Sequence, residues 1–153
     1  MLFLFQNIME KQIQIETFDT SNQAWYDVAL AIRRKVFIQG QNVDPLLEIE
    51  NEEACTHYLL IIDDQAIGTG RWRKTNKGIK LERFAILEEF RNNGYGTVLL
   101  KKILNDIQSL QEKIYLHAQI QAVNYYKREG FISTGEVFSE AGIDHYLMVK
   151  KNR

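Results

Sequence analysis

The sequence predicts a mixed α/β (α+β) fold with a central, mostly antiparallel sheet of six to seven strands and flanking helices. Three features indicate it: alternating apolar runs joined by tight turns, a glycine-containing loop that opens an amphipathic helix, and a strand directly after that helix. A strand reached through a helix is expected to lie parallel to the strand before it, through a right-handed crossover. The sheet is therefore predicted to be antiparallel except at one pair.

The composition is typical of one folded domain, predicted here to span residues 1–153. The chain is 45% hydrophobic and 25% charged, with a formal net charge of −1. This balance gives no general affinity for nucleic acid or for an anionic membrane, so neither is an expected partner. Cys55 is the only cysteine, so it forms no internal disulfide, and no Cys/His spacing predicts a metal site. A cytoplasmic, metal-free protein is the resulting expectation.

The apolar start of the chain is expected to be neither a membrane span nor a signal peptide. It is short and lacks a basic leader. Met9 offers an alternative start, in which case residues 1–8 form a disordered extension.

A strand and a helix are predicted before the first loop. Gln12–Glu16 alternates polar and apolar residues, which indicates a half-buried strand. Apolar residues then recur every three or four positions up to about Phe37, after N-cap candidates in Asp19–Ser21. We interpret Arg33–Lys35 as the solvated, basic end of this helix.

An acidic segment, Asp44–Glu53, begins in the loop that contains Pro45 and carries five acidic residues. One interpretation is a solvated loop or short helix. The other is an acidic rim that attracts an amine substrate.

Three strands connected by tight turns form the predicted centre of the sheet. They are Thr56–Ile62, Ala66–Lys74 and Ile79–Leu87, with a hairpin turn of favoured composition at Thr75–Gly78. The alternation breaks at the end of the third strand, where Phe84–Leu87 are all apolar. Either a strand buried on both faces or a β-bulge would produce this break.

The segment Arg91–Thr97 predicts a phosphate-binding loop at the start of a helix. Gly94 and Gly96 allow a tight turn and a close approach of the backbone to a ligand. Free amide groups and the positive end of the helix dipole then favour a phosphate. Leu99 stands where a Rossmann loop needs its third glycine, and a P-loop lysine is absent, so neither of those nucleotide sites is predicted. The predicted apolar stripe of the helix is Val98, Leu99, Ile103, Ile107 and Leu110.

The remaining elements complete the sheet. Ile114–Ile120 is the strand expected to run parallel to its predecessor, and Ala122–Glu129 is a short helix. Phe131–Phe138 and Ile143–Val149 are the last two strands, joined by a turn at 139–142.

Two motifs resemble those of the GCN5-related N-acetyltransferases, the GNAT family. The first is Arg-x-x-Gly-x-Gly at Arg91–Gly96. The second is Ala122–Phe131, which is similar to the family element N-x-x-A-x-x-F-Y-x-x-x-G-F. Gln119 stands where the family often has Asn, and Tyr125 where it often has Phe. This resemblance implies the GNAT fold, in which the parallel fourth and fifth strands splay apart.

Three shorter segments resemble the small bacterial YjcF/ElaA-like branch of that family. They are Val36-Phe37, Leu116–Gln119 and Gly142–His145. The resemblance covers nearly the whole chain from about Ile13.

The resemblance also implies acetyl-CoA as cosubstrate, with its pyrophosphate at the glycine loop and its pantetheine arm along the fourth strand. The residues expected to bind it are Phe84, Ala85, Ile86, Arg91, Asn92, Asn93, Gly94, Tyr95, Gly96, Thr97 and Asn124.

Three residues are catalytic candidates. By the resemblance, Tyr126 is the acid that protonates the leaving thiolate, since a phenol stays protonated at neutral pH. Glu82 and His117 are alternative bases for the acceptor ammonium: the first through a raised carboxylate pKa, the second through water. Each also has an ordinary structural interpretation, Glu82 as the ion-pair partner of Arg73 and His117 as a packed strand residue.

His145, Gln119 and His57 are candidates for the acceptor pocket. The predicted function is an acetyl-CoA-dependent N-acetyltransferase that transfers acetyl directly to a primary amine of a small molecule or peptide. The alternative is a catalytically inactive acyl-CoA-binding regulatory module that keeps only the phosphate loop. Dimerisation is common in the family, so a homodimer is a further expectation.

Overall fold

The computed structural model describes residues 11–152, so the predicted extension over residues 1–8 and the alternative start at Met9 lie outside the described residues. The strands are β1 (Ile13–Phe18), β2 (Cys55–Ile62), β3 (Gln65–Thr75), β4 (Gly78–Ile86), β5 (Ile114–Gln119), β6 (Phe131–Glu140) and β7 (Ile143–Lys150). The α-helices are α1 (Gln23–Arg33), α2 (Pro45–Glu48), α3 (Tyr95–Ile107) and α4 (Val123–Arg128). A π-helical turn, Arg34–Gln39, continues α1.

The strands form one sheet in the order β1-β2-β3-β4-β5-β7-β6, and β4 and β5 are its parallel neighbours. Their pairing is short, because it joins Ile79–Leu81 to Ile114–Leu116 and goes no further. Both strands continue, to Ile86 and Gln119, so their carboxyl ends separate into a V. The predicted mostly antiparallel sheet with one parallel, splayed pair is confirmed.

A β-bulge interrupts β4 just beyond the point where it leaves β5. Thr69 of β3 pairs with Ala85, but Arg71 pairs with Glu82, so β4 holds one extra residue here. Arg83 in this bulge has a φ of +58°. A bulge bends its strand and re-aims the residues that follow, and here those residues form one side of the V.

Helix α3 packs on the sheet through four fully buried side chains, those of Leu99, Leu100, Ile103 and Ile107. The prediction that Leu110 belongs to the apolar stripe of this helix was wrong. The helix ends at Ile107, and Leu110 lies in the following turn with 38% of its surface exposed. This packing fixes the start of α3 at the open end of the V.

Helix α1 begins one residue after Asn22, whose side-chain oxygen accepts the backbone N–H of Trp25 at 3.2 Å. The predicted N-cap within Asp19–Ser21 was therefore wrong. Asp19 instead accepts the backbone N–H of Ser21 at 2.9 Å, in the turn that precedes the helix.

Arg33 is buried, which contradicts its prediction as part of a solvated helix end. Its Nε lies 2.5 Å from a carboxylate oxygen of Glu48, and its Nη1 donates to Glu52 at 3.0 Å. Neighbouring Arg34 is exposed, as predicted. The ion pairs compensate for the loss of hydration of the Arg33 guanidinium.

The buried pairs of Arg33 predict a large effect on stability. Replacing Arg33 with methionine removes the buried cation that Glu48 and Glu52 share, so we expect the free energy of unfolding to fall by about 3–5 kcal/mol. Urea denaturation measures this change, with Arg34→Met as the matched exposed control. Equal stability of the two variants would contradict the structural role of Arg33.

Candidate active site

A cavity of about 830 Å³ opens between the separated ends of β4 and β5. The start of α3, helix α4, the turn between β6 and β7, and the loop after α1 complete its walls. This volume is within the range of small-molecule sites, roughly 300–1,000 Å³. The predicted site residues that line it are Glu82, Phe84, Ala85, Ile86, Arg91, Asn92, Gly94, Tyr95, Gly96, Thr97, His117, Gln119, Tyr126 and His145.

The glycine loop leaves the start of α3 open to a ligand. Gly94 is the N-cap residue with a φ of +78°, and no side chain of the described residues caps the helix. A Cβ built on Gly94 would meet no atom of the described part of the chain within 4 Å. The first amides of α3 therefore face open space with the positive end of the helix dipole behind them, which suits an anion.

Two arginines stand at this end of the cavity. Arg91 donates its Nε–H to the carbonyl of Ile86 at 2.9 Å and remains exposed. Arg128 of α4 is also exposed and lines the cavity, although its sequence position gave no reason to single it out. Both cations are available to negative phosphates.

Two predicted cofactor residues lie outside the cavity wall. The side-chain amide of Asn93 donates to the carbonyls of Phe90 and Arg91, at 3.2 and 3.0 Å, so it shapes the loop. Asn124 is exposed on α4 and does not line the cavity. Direct contact of either side chain with a cofactor in the cavity is not supported.

Adjacent tyrosines of α4 face the cavity in different surroundings. Tyr126 packs edge-on against Phe131, and burial raises the pKa of its hydroxyl well above the usual value. The hydroxyl of Tyr125 is buried without a hydrogen-bond partner among residues 11–152. It points at Gly96, where a Cβ would lie 3.5 Å from its oxygen. Both phenols are therefore protonated at neutral pH.

Glu82 is held by three cations. Its carboxylate lies 3.3 Å from Arg71, 2.7 Å from Arg73 and 3.3 Å from Lys80. Burial alone would raise the pKa of Glu82, but these cations outweigh that effect and lower it. The prediction of a raised pKa for Glu82 was wrong, because sequence reasoning foresaw only one of the three partners. A carboxylate stabilised in this way is a poor proton acceptor.

The lowered pKa of Glu82 predicts a pH-dependent stability. A depressed folded-state pKa contributes stability above the ordinary value of 4.5, and this contribution is lost as the pH falls through the folded pKa. We therefore expect Glu82→Gln to be less stable than wild type at pH 7, with a difference that shrinks as the pH falls below about 4.5. Urea unfolding at several pH values measures it, with exposed Glu53→Gln as the control. A difference that stays constant down to about pH 3 would contradict the ion-pair assignment.

Two imidazoles line the cavity on the face that carries the β6–β7 turn. Nδ1 of His117 lies 3.2 Å from a carboxylate oxygen of Glu140. Nδ1 of His145 lies 2.7 Å from the carbonyl of Ile143. The ring of Phe138 contacts both, with centroids 4.9 Å from His117 and 5.8 Å from His145. The sequence singled out both histidines but gave no indication of Glu140.

A pair of glutamines connects β5 to the loop after α1. The side-chain amide of Gln119 donates to Gln41 at 2.8 Å, and Gln41 donates back at 3.2 Å. Gln121 donates to Gln119 as well, at 2.6 Å. Both Gln41 and Gln119 line the cavity. Gln119 therefore helps to hold the loop over the site. The sequence did not predict this role, because its partner Gln41 is 78 residues away.

His57, predicted in the acceptor pocket, lies elsewhere. It is buried on β2 between Phe18 and Tyr26, and its Nε2 donates to the carbonyl of Glu52 at 3.0 Å. Burial lowers the pKa of His57. The imidazole is therefore a buried structural group of β2 that does not line the cavity.

The acidic segment also differs from an open rim. Glu48 lines the cavity but binds Arg33, and Glu52 binds Arg33 and Arg71. Burial would raise the pKa of Glu52, but these two arginines outweigh it and lower the pKa. Glu50 is exposed and lines the cavity. Two of the five predicted negative charges are therefore neutralised internally, while Asp44, Glu50 and Glu53 remain exposed, so the argument for a strongly cationic acceptor weakens.

A family model described as an acetyltransferase (GNAT) domain matches residues 15–152. The chain belongs to the GNAT acetyltransferase family. This GNAT domain is 37% identical over 130 residues to YyaT, an uncharacterized protein of Bacillus subtilis, with 80% of this chain and 86% of YyaT covered. It is 33% identical over 125 residues to the uncharacterized N-acetyltransferase YjcF of the same organism, with 80% of this chain and 89% of YjcF covered.

ElaA of Escherichia coli resembles this GNAT domain in sequence and structure. The two sequences are 28% identical over 130 residues, which cover 80% of this chain and 84% of ElaA. The crystal structure of ElaA superposes with a TM-score of 0.82 at 25% identity, covering 92% of this chain and 100% of ElaA. The predicted resemblance to the YjcF/ElaA-like branch is confirmed.

Between residues 11 and 152, no helix has the length and apolar character needed to cross a bilayer. In the same range, no three His, Cys, Asp or Glu side chains come together in a way that would hold a metal ion.

Proposed function

We propose that this GNAT domain transfers the acetyl group of acetyl-CoA directly to a primary amine of a small molecule or peptide. The observation that carries the proposal is a single cavity that joins an uncapped helix N-terminus, the unpaired edge of β4, a protonated tyrosine and a histidine. The relative YjcF, whose name includes N-acetyltransferase, is consistent with this activity.

The parts of acetyl-CoA match different walls of the cavity. The amides at the start of α3, with Arg91 and Arg128 beside them, suit the pyrophosphate. Beyond Leu81, β4 has no strand partner within residues 11–152 on the side that faces β5. Backbone groups of Phe84 and Ile86 on that edge are the proposed partners of the amides in the pantetheine arm. The thioester is then directed toward the narrow end of the V.

His117 is the proposed base. It is the first residue of β5 after the pairing with β4 ends at Leu116, so it flanks the narrow end of the V. Its side chain lines the cavity and is not enclosed by cations, in contrast to Glu82. An imidazole with one free ring nitrogen accepts a proton directly or through water.

The protons balance with His117 and Tyr126 in these roles. His117 removes one proton from the acceptor ammonium, and the freed amine nitrogen forms a bond to the thioester carbonyl carbon. Tyr126 donates its proton to the sulfur as the carbon–sulfur bond breaks. The second proton shed by the amine nitrogen restores the Tyr126 hydroxyl, so one amide, one CoA thiol and one proton are released.

Thiol release from acetyl-CoA in the presence of a panel of primary amines tests this function. The panel contains amino acids, polyamines, amino sugars and short peptides, with an amine-free reaction as the control. We expect at least one amine to accelerate CoA release, with the N-acetyl product detected by mass spectrometry. Tight binding of acetyl-CoA with no acceleration by any amine would favour the regulatory-module alternative instead.

A further inference from the structure

The carboxylate of Glu140 makes a hydrogen-bond contact with His117, and Glu140 has no role in the reaction proposed above. The sequence placed this residue in a turn, but β6 extends to include it, and Ala141-Gly142 make the turn with φ values of +53° and +76°. Both carboxylate oxygens of Glu140 approach Nδ1 of His117, at 3.2 and 3.4 Å. The carboxylate also lines the cavity.

The proton positions follow from this contact. The hydrogen bond from His117 lowers the pKa of Glu140 to about 2, so its carboxylate is ionised near neutral pH. An ionised carboxylate has no proton to donate, so Nδ1 of His117 must carry the hydrogen that joins them. In the neutral imidazole, Nε2 is then the nitrogen with the free lone pair.

We propose that Glu140 is a positioning residue that fixes the orientation and the Nδ1–H tautomer of His117, so that Nε2 is the atom that receives the proton of the acceptor amine. The inference rests on the transferase function proposed above, with His117 as base. It follows the general arrangement in which a carboxylate orients the histidine that acts as base.

A second imidazole near Glu140 provides a competing partner for its carboxylate. Nε2 of His145 lies 4.0 Å from the same carboxylate oxygen, and Phe138 packs between the two imidazoles. One further charged group, Lys80 of β4, acts on the Glu140 carboxylate and is itself paired with Glu82. The direct hydrogen bond of Glu140 is made to His117, which is the reason for assigning the positioning role there.

The first test is the tautomer of His117 in the free protein. Nitrogen-15 NMR of the imidazoles distinguishes Nδ1–H from Nε2–H, and a His117→Asn variant identifies the signal among the three histidines of the chain. We expect Nδ1–H in wild type and in Glu140→Gln, whose amide oxygen still accepts a hydrogen bond. We expect a shift toward Nε2–H in Glu140→Leu, which has no acceptor. An unchanged tautomer in Glu140→Leu overturns the proposal.

The second test is kinetic, with any amine that the panel identifies. Glu140→Leu should lower kcat about 10- to 100-fold with little change in KM for acetyl-CoA, because general-base catalysis is weakened. Glu136→Leu, an exposed substitution on the same strand, is the matched control and should leave kcat unchanged. When His117 is already replaced by asparagine, adding Glu140→Leu should not lower kcat any further. A further loss in that background would show that Glu140 acts through another group, such as His145, and would overturn the assignment.

These outcomes separate the inference from the proposed function. If no amine accelerates thiol release by wild type, the transferase proposal fails. The NMR result, obtained without substrate, still decides whether Glu140 fixes His117.

Discussion

Replacing Gly94 with tryptophan is expected to raise the Kd for acetyl-CoA about 100-fold or more, which corresponds to roughly 2.8 kcal/mol. Gly94 lines the cavity, and a Cβ there would project into open space at the start of α3. An indole at this position fills the volume proposed for the pyrophosphate and blocks the backbone amides. Calorimetric titration of acetyl-CoA measures the change.

The chain offers a closely matched control for this substitution. Gly135 on β6 has a φ of +75°, close to the +78° of Gly94, and its Cβ would also meet no described atom within 4 Å. A tryptophan at either position has a similar backbone strain of about 1–2 kcal/mol, but only Gly94 lines the cavity. Gly135→Trp should therefore bind acetyl-CoA like wild type. Equal affinities of the two variants would exclude the glycine loop as the pyrophosphate site.

Tyr126→Phe is expected to lower kcat about 100- to 1,000-fold, because it removes the proton donor for the leaving sulfur. The Kd for acetyl-CoA should change little, since the ring and its packing on Phe131 are retained. Steady-state thiol release and calorimetry together separate these two effects.

Tyr125→Phe is the control for Tyr126. The two residues are adjacent on α4 and both line the cavity, but the Tyr125 hydroxyl points toward Gly96. We expect Tyr125→Phe to keep kcat within about threefold of wild type, since it takes no part in the proton transfer. If Tyr125→Phe lost more activity than Tyr126→Phe, the assignment of the acid would move to Tyr125.

The sequence predicted the features that depend on local periodicity. The hairpin-linked strands, the glycine loop and the helix α3 all follow from spacings of two, three or four residues, and the structure agrees with them within a few residues. The separation of β4 and β5 was predicted from the two GNAT motifs. Hydrophobic alternation could not predict it, because separated and paired strands show the same alternation.

The errors concern charges whose partners are distant in sequence. Arg33 lies on a helix that looks amphipathic, and its burial depends on Glu48, at the end of α2, and on Glu52, which follows α2. For Glu82, the sequence analysis named Arg73 as its ion-pair partner but did not predict that Arg71 and Lys80 contact the same carboxylate. In each case the sequence shows the charge but not the geometry that determines its pKa.

Glu140 shows the same limit within the site itself. A turn was expected at 139–142, whereas two residues at positive φ make a tighter turn and extend β6. That extension carries the Glu140 carboxylate to His117, 23 residues away in sequence. Two residues of strand length therefore change a predicted turn position into part of the cavity wall.

A crystal structure of the protein with acetyl-CoA tests the central claim most directly. We predict the pyrophosphate on the amides of 92–97 and the pantetheine arm along β4 beyond Leu81. The thioester sulfur should lie within hydrogen-bond reach of the Tyr126 hydroxyl, at roughly 3–4 Å or through one water. A pyrophosphate bound away from the start of α3, or a sulfur remote from Tyr126, would contradict the proposed arrangement.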